Sequence, residues 1–241
     1  IEVVSGVFAT LLFILIVWGI ADRKNVQVRE VEVAIKGLPE GCDGGMIVQF
    51  TDVHVGCLDG AKEYLNSLVE ISNSYNPDIV MLTGDLINVA AWEADGTEGT
   101  LNALTAKLGK YAVLGNHDTG VYVRDTVELP IEENTRLLIE RIEDMGWRVV
   151  NDESEFLMRG GDTITLTGIG FSRELLEHRH SANVADSLDL RPIFEGLPCD
   201  MFNITVSHMP QLWRKIVALD YGDLVLSGHV HSTQMKASLG E

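Results

Sequence analysis

The sequence is short of cysteine, of basic residues and of anything repetitive. Its three cysteines, Cys42, Cys57 and Cys199, are an odd number with no CxxC pair, which excludes a secreted disulfide framework. The thiols read as buried or incidental groups of a reducing compartment. Lys and Arg total 18 against 36 Asp and Glu, a formal net charge of −18. A chain so poor in cations has no basic stripe for nucleic acid, so no nucleic-acid partner is expected. The deficit leaves small anionic substrates open, because a bound metal ion reverses the sign of the local field. There is no internal repeat and no low-complexity run. What is present is globular in composition, 46% hydrophobic and 22% charged over 241 residues, enough for a sizeable core.

The amino-terminal segment lacks charge altogether. Val3 to Ala21 runs 19 residues without an ionisable side chain before Asp22 and Arg23 follow. As a helix it would rise about 28 Å, close to the hydrocarbon thickness of a bilayer. Trp18 sits where an interfacial aromatic belongs. The apolar run is long for a signal peptide, and no small-x-small cleavage site follows. The segment therefore predicts a transmembrane anchor over 1–22, with a linker and first strand over 23–45 and a globular domain over 46–241. Arg23, Lys24 and Arg29 follow the run and only Glu2 precedes it, which puts the globular domain on the cytoplasmic side. The chain begins with Ile1 rather than Met, so upstream sequence is expected.

Beyond the anchor, apolar strands alternate with helical patterns. Val26, Val28, Val31, Val33 and Ile35 alternate like a strand closed by Pro39 and Gly41. Further strands are predicted at Met46–Phe50, Ile79–Leu82, Tyr111–Leu114, Arg148–Val150, Glu155–Met158 and Thr163–Gly168, and within "FNITVSHMP" and "DLVLSGHVHS". Helical spacing marks Ala61–Ser72, a segment from about Thr97 to Leu108, residues 131–145 stopped by Gly146, and Gln211–Leu219.

Five of the strands end in the same way, in "IVQFTDVH", "IVMLTGD", "AVLGNHD", "NITVSH" and "LVLSGHVH". Uninterrupted Ile/Val/Leu strands between helices imply sheets covered on both faces. In such sheets functional groups gather at the carboxyl ends of the strands. Asp52, His54, Asp85, Asn116, His117, Asp118, His208, His229 and His231 all lie there. The chain has seven histidines, and only His178 and His180 fall outside these ends, where a solvated helix end accounts for them. Taken singly, Gly84-Asp85 and Gly115-Asn116 are ordinary turn chemistry; nine such residues on one rim are not.

Nitrogen and oxygen donors without thiolate suit divalent Mn, Fe, Zn, Co or Ni. "DVH" and "HVH" place donors two apart, on one face of an extended segment. The set is too large for one tetrahedral ion and fits two ions sharing a carboxylate, a clamp suited to in-line attack at phosphorus.

The ordered blocks Asp52-x-His54, Gly84-Asp85, Gly115-Asn116-His117-Asp118, His208 and Gly228-His229-x-His231 resemble the calcineurin-like metallophosphoesterases. The match runs from about Ile47 to His231. Together with the amino-terminal run, "VREVEV" and "GLP", it is closest to a membrane-anchored bacterial branch that includes UDP-2,3-diacylglucosamine pyrophosphatases. The resemblance implies an α/β fold, a four-layer α/β/β/α sandwich of two mixed sheets. It implies two divalent metal ions (Mn, Fe or Zn), one held by Asp52, His54 and His231 and the other by Asn116, His208 and His229, with Asp85 between them. His117 would act on the substrate, Asp118 would hydrogen-bond His117 and set its tautomer, and a bridging hydroxide would be the nucleophile. The substrate would be a small-molecule or lipid-linked phosphate at a bacterial inner membrane. A non-catalytic scaffold and a general phosphodiesterase or nuclease are the alternatives.

The chain departs from the branch pattern in two respects. Ser232 and Thr233 stand where that branch carries glycines, and the chain ends ten residues after His231, which predicts a fragment. "NVAAWEADGTEGT" and "TGVYVRDTVELP" are longer than expected and read as candidate substrate lids.

Overall fold

Two four-stranded sheets carry the fold of this computed structural model, which describes residues 2–22, 26–57, 60–123, 129–171, 175 and 188–231. The first sheet has β1 (Ile47–Phe50), β2 (Ile79–Thr83), β3 (Gly109–Val113) and β4 (Arg148–Val149) in that order, all parallel. The second has β5 (Ser154–Arg159), β6 (Asp162–Ile169), β7 (Asn203–Ser207) and β8 (Leu224–Leu226). Here β5 pairs antiparallel with β6, and β6, β7 and β8 run parallel. Among the described residues only the second sheet is mixed, a correction to the expectation of two mixed sheets.

Side chains alternate across a strand, and this alternation sorts the core. Val80, Leu82 and Ala112 face helices α2 (Ala61–Ser74), α3 (Glu98–Asn102) and α4 (Ile131–Asp144), meeting Leu65, Leu101, Leu138 and Ile142. Their neighbours Ile79, Met81, Tyr111 and Val113 turn the other way, against Leu157, Leu166, Ile204 and Val206 of the second sheet. A third cluster covers that sheet's outer side, joining Ile169 to Leu212 and Ile216 around helix α5 (Trp213–Ala218). Helices, sheet, sheet and helix stack in turn.

The helices follow their sequence signals. Leu65, Leu68, Val69 and Ser72 are the buried stripe of α2, and the turn Asn76-Pro77 stops it, because the residue before proline avoids the α region. On α4 the buried stripe is Asn134, Leu138, Ile142 and then Met145, and Gly146, with φ of 75°, ends the helix.

Three expectations differ from what forms. The alternating segment 26–35 joins no ladder among the described residues, and Val28, Val31 and Val33 are exposed. The helix predicted over Thr97–Leu108 stops at Asn102 because the Asn73 side chain takes the Ala103 carbonyl and the Thr105 N–H, groups that a longer helix would use itself. The helix predicted from Gln211 begins as a tight 3₁₀ turn at Pro210–Leu212 and becomes α only at Trp213.

The amino-terminal run does form a helix, α1 (Glu2–Asp22), but the transmembrane reading is not supported. Among the described residues no helix is long and apolar enough to cross a membrane. Val7, Phe8, Phe13 and Trp18 on α1 are exposed.

Candidate metal centre

All five polar blocks reach one rim because the strands that carry them are parallel neighbours. Asp52 and His54 follow β1, Asp85 follows β2, and Asn116 to Asp118 follow β3. His208 follows β7, and His229 and His231 follow β8. The two sheets are tied at this edge by Gln49, whose Nε2 donates to Thr83 Oγ1 and to Ser227 O, each at 2.9 Å. The loops are an extension of the ladder: Asp52 N donates to Gly84 O, His54 N to Asp85 O and Gly228 N to His208 O.

The backbone at the rim is strained. Asp52, His54, Asp85 and His229 have φ of 52°, 47°, 58° and 69°, a region that costs a non-glycine residue about 1–3 kcal/mol. Gly84 and Gly115 make the close approach feasible. A Cβ on Gly84 would lie 2.4 Å from His208 Nδ1, and one on Gly115 would lie 2.2 Å from Asp85 Oδ1.

Three groups of donor atoms converge, each within 4.8 Å: Asp52 with His54 and His231, His54 with Asp85 and His117, and Asp85 with His208 and His229. Asp85 links them, with Oδ2 3.1 Å from His208 Nε2 and 3.9 Å from His54 Nε2. His208 Nδ1 lies 2.8 Å from Thr83 O, and a carbonyl only accepts, so the neutral ring keeps its proton on Nδ1. Its Nε2 lone pair then faces Asp85 Oδ2, Asn116 Oδ1 at 3.2 Å and His229 Nδ1 at 3.2 Å. With Nε2 unprotonated, this set of acceptors fits a cation. The same carbonyl device sets His54, whose Nδ1 lies 3.2 Å from Ile87 O, and His117, whose Nδ1 lies 2.6 Å from Asn88 O. Each ring is thereby turned with Nε2 free, the usual outer support of a metal-binding imidazole.

Asp52 shows the same preparation. Its Oδ2 accepts from Thr51 Oγ1 at 2.6 Å and His229 N at 3.1 Å. Its Oδ1 is buried without a hydrogen bond and lies 3.3 Å from His231 Nε2. An orphaned buried carboxylate oxygen beside two imidazoles fits a divalent cation, as does a donor set of nitrogen and oxygen without sulfur.

The electrostatics run from a buried floor to an open mouth. Asp85 and His208 are each 1% exposed, while His231 is exposed. Burial alone would raise the Asp85 pKa, but the His208 ring and the His117 N–H bonded to its carboxylate outweigh this and hold it low. His208 is pushed down by burial and up, by more, by Asp85. Burial lowers His54 and His229, which favours the neutral, ligating form.

Asp118 differs from expectation. Its carboxylate makes no hydrogen bond to His117 among the described residues. It is fully buried and accepts from Asp85 N at 2.7 Å, Gly115 N at 2.9 Å and Ile87 N at 3.1 Å. Its sequence neighbour His117 is set instead by the Asn88 carbonyl. Asp118 therefore pins the loops after β2 and β3 to each other. Burial and the nearby Asp85 push its pKa up to about 7.

Residues 45–233 match the family profile for calcineurin-like phosphoesterases. The chain belongs to that family. It is thus a member of a group of metal-dependent phosphohydrolases. A transmembrane protein with a metallophosphoesterase domain from Danio rerio is 28% identical over 224 residues, covering 92% of this chain and 48% of that protein. An uncharacterized metallophosphoesterase of Campylobacter jejuni is 26% identical, covering 88% of this chain and 50% of that one. The UDP-2,3-diacylglucosamine pyrophosphatase LpxG of Chlamydia muridarum is 26% identical, covering 80% and 65%. The chain spans about half the length of the first two relatives.

Two residues packed beside the candidate site carried no signal in the sequence. Tyr122, inside one of the segments read as a lid, stacks on His117 with ring centroids 4.3 Å apart. Glu93, inside the other, accepts from Asn88 N and Val89 N and so fixes the carbonyl that holds His117. Its burial against Gly56, where a Cβ would meet the carboxylate at 2.3 Å, is a tertiary fact that spacing does not encode. His178, His180, Ser232 and Thr233 lie outside the described residues.

Proposed function

We propose that this chain hydrolyses a phosphoester or pyrophosphate bond with two divalent cations. One observation carries the reading: Asp85 Oδ2, Asn116 Oδ1 and His229 Nδ1 crowd the lone pair of His208 Nε2, and the same Asp85 faces the Asp52, His54 and His231 group. Asp52, His54 and His231 would hold one ion, Asn116, His208 and His229 the other, and Asp85 would serve both. Bound there, divalent ions activate water and neutralise charge on a phosphoryl group. His117 is half-buried at the edge of the set with Nδ1 committed to Asn88 O, so its other ring nitrogen is the one available to a substrate oxygen. Asp118 acts by holding the Asp85 and Gly115 loops.

We place the substrate among membrane-adjacent or lipid-linked phosphates of the UDP-2,3-diacylglucosamine kind. This is supported by a relative named as a pyrophosphatase of that compound, by relatives named as transmembrane proteins, and by the exposed apolar side chains of α1. On this reading α1 attaches the protein to a bacterial inner membrane with the catalytic domain on the cytoplasmic face. The net charge of −18 counts against a nuclease.

The test is hydrolysis of bis-(p-nitrophenyl) phosphate with and without added Mn²⁺, beside Asp85→Ala. Metal-dependent turnover that Asp85→Ala lowers at least about 100-fold is expected. Equal turnover in the variant refutes the shared-carboxylate mechanism, and none in the wild type favours a non-catalytic scaffold.

A further inference from the structure

Asn116 presents a problem that the metal set alone does not solve. Its amide oxygen and nitrogen have nearly the same shape, so the group can turn either end toward the ring of acceptors around His208. Only the oxygen end suits a cation. Asn116 Oδ1 faces His208 Nε2 at 3.2 Å, and Asn116 Nδ2 donates to the Tyr122 hydroxyl oxygen at 3.1 Å. With Oδ1 turned to a cation, the nitrogen end is left to the phenol oxygen, which accepts from it and holds the amide in that orientation.

The Tyr122 ring has a second contact. It lies against His117 at a centroid distance of 4.3 Å and an interplanar angle of 23°. His117 in turn meets His54 edge-on at 4.6 Å, and His54 stacks on His231 at 5.4 Å. Four rings cross the mouth of the site in series, with Tyr122 at the outer end. His117 is anchored at one atom by Asn88 O; a single hydrogen bond leaves the ring free to swing, and a flat ring against its face removes that freedom.

We propose that Tyr122 is a positioning residue with two separable roles: its hydroxyl fixes the amide orientation of Asn116, and its ring fixes the plane of His117. The first role rests on the proposal that Asn116 is a metal ligand. The second acts on the substrate side, through His117.

Two variants separate the roles. Tyr122→Phe keeps the ring and removes the hydroxyl; Tyr122→Ala removes both. Mn²⁺ binding to the full chain is measured by equilibrium dialysis, and kcat and KM for bis-(p-nitrophenyl) phosphate are measured at saturating Mn²⁺. Loss of such an outer support weakens metal affinity by about 10–100-fold. Tyr122→Phe is expected to weaken one of the two Mn²⁺ equivalents by about 10-fold, with kcat at saturating metal kept within about twofold. Tyr122→Ala is expected to show the same binding loss and to lower kcat a further 10-fold or so with KM little changed. An Mn²⁺ isotherm for Tyr122→Phe that superimposes on the wild type overturns the amide role. Equal kcat in the two variants overturns the ring role. A wild-type chain that takes up no Mn²⁺ refutes the metal reading itself, a result distinct from both.

Discussion

Replacing Asp118 with asparagine separates two accounts of the residue that follows His117. If Asp118 tuned His117, Asp118→Asn would shift the pH–rate profile and leave folding almost untouched. The structure points elsewhere. All three hydrogen-bond partners of the carboxylate are backbone donors, two on Oδ2 and one on Oδ1. An asparagine offers one acceptor oxygen, which can serve the pair at Asp85 N and Gly115 N. Its NH₂ then meets the Ile87 N–H, donor against donor, where no water reaches. A charge-assisted bond is lost, worth about 1.5–3 kcal/mol, and buried donors are left unmade at about 1–3 kcal/mol. Removing a buried charge near Asp85 offsets part of this, so we expect a net loss of roughly 2–4 kcal/mol. For a chain of this length that is a fall in Tm of roughly 5–15 °C. The measurement is urea unfolding at pH 8, where the carboxyl, with its pKa pushed up to about 7, is ionised. Buried Trp147 provides the fluorescence signal. Stability within about 0.5 kcal/mol of the wild type, together with a shifted pH–rate profile, refutes the loop-pinning account.

Gly115→Ala is expected to abolish tight Mn²⁺ uptake in equilibrium dialysis, because the new Cβ would sit 2.2 Å from Asp85 Oδ1 and 2.7 Å from Asp85 N; the overpacking also costs about 1–3 kcal/mol in a urea melt, and wild-type Mn²⁺ affinity refutes the close-approach argument. At the opposite end of the strands, Asp78 accepts from Met46 N at 2.9 Å, pairs with Lys107 at 3.0 Å and lies 3.2 Å from Arg159. Burial pushes its pKa up, but these partners outweigh it and hold the carboxyl below the usual range. A depressed folded pKa stabilises above the unfolded value of about 3.9 and loses that contribution as pH falls through the folded value. Asp78→Asn should therefore cost about 1–3 kcal/mol at pH 7 and flatten the acid limb of a stability–pH series below about pH 4; an unchanged limb refutes the assignment.

The sequence made the site legible because its grammar is local. An apolar run ending at Gly84-Asp85 or Gly115-Asn116 declares both a strand and a functional loop, and the structure ends β2 and β3 within three residues of those signals. Strand positions were equally readable, since Ile79–Thr83 and Asn203–Ser207 are buried at every residue. Illegible features depended on partners far along the chain. The truncation of α3 rests on Asn73, some 30 residues away. The loop-pinning role of Asp118 rests on N–H groups of Asp85 and Ile87, more than 30 residues away. An Asp beside a His reads as a dyad until the backbone donors are seen. Likewise the alternation of Val26 to Ile35 specifies a strand only when a neighbouring edge is present to pair with it.

The strained rim indicates how much of the site is built before any ligand arrives. Asp52, His54, Asp85 and His229 hold left-handed backbone conformations that bulky or carboxylate side chains adopt reluctantly, at about 1–3 kcal/mol each. The ladder extends past the strand ends through Asp52 N, His54 N and Gly228 N, and it holds the four residues in place at that cost. A donor set held this way does not need a cation to assemble it. The cation is instead the complement to lone pairs already facing one another at Asp85 Oδ2, Asn116 Oδ1, His208 Nε2 and His229 Nδ1. The folding energy of the two sheets therefore maintains the repulsion that makes the rim selective for positive charge. In a protein of net charge −18, cations bound there would supply the positive charge that an anionic phosphate needs.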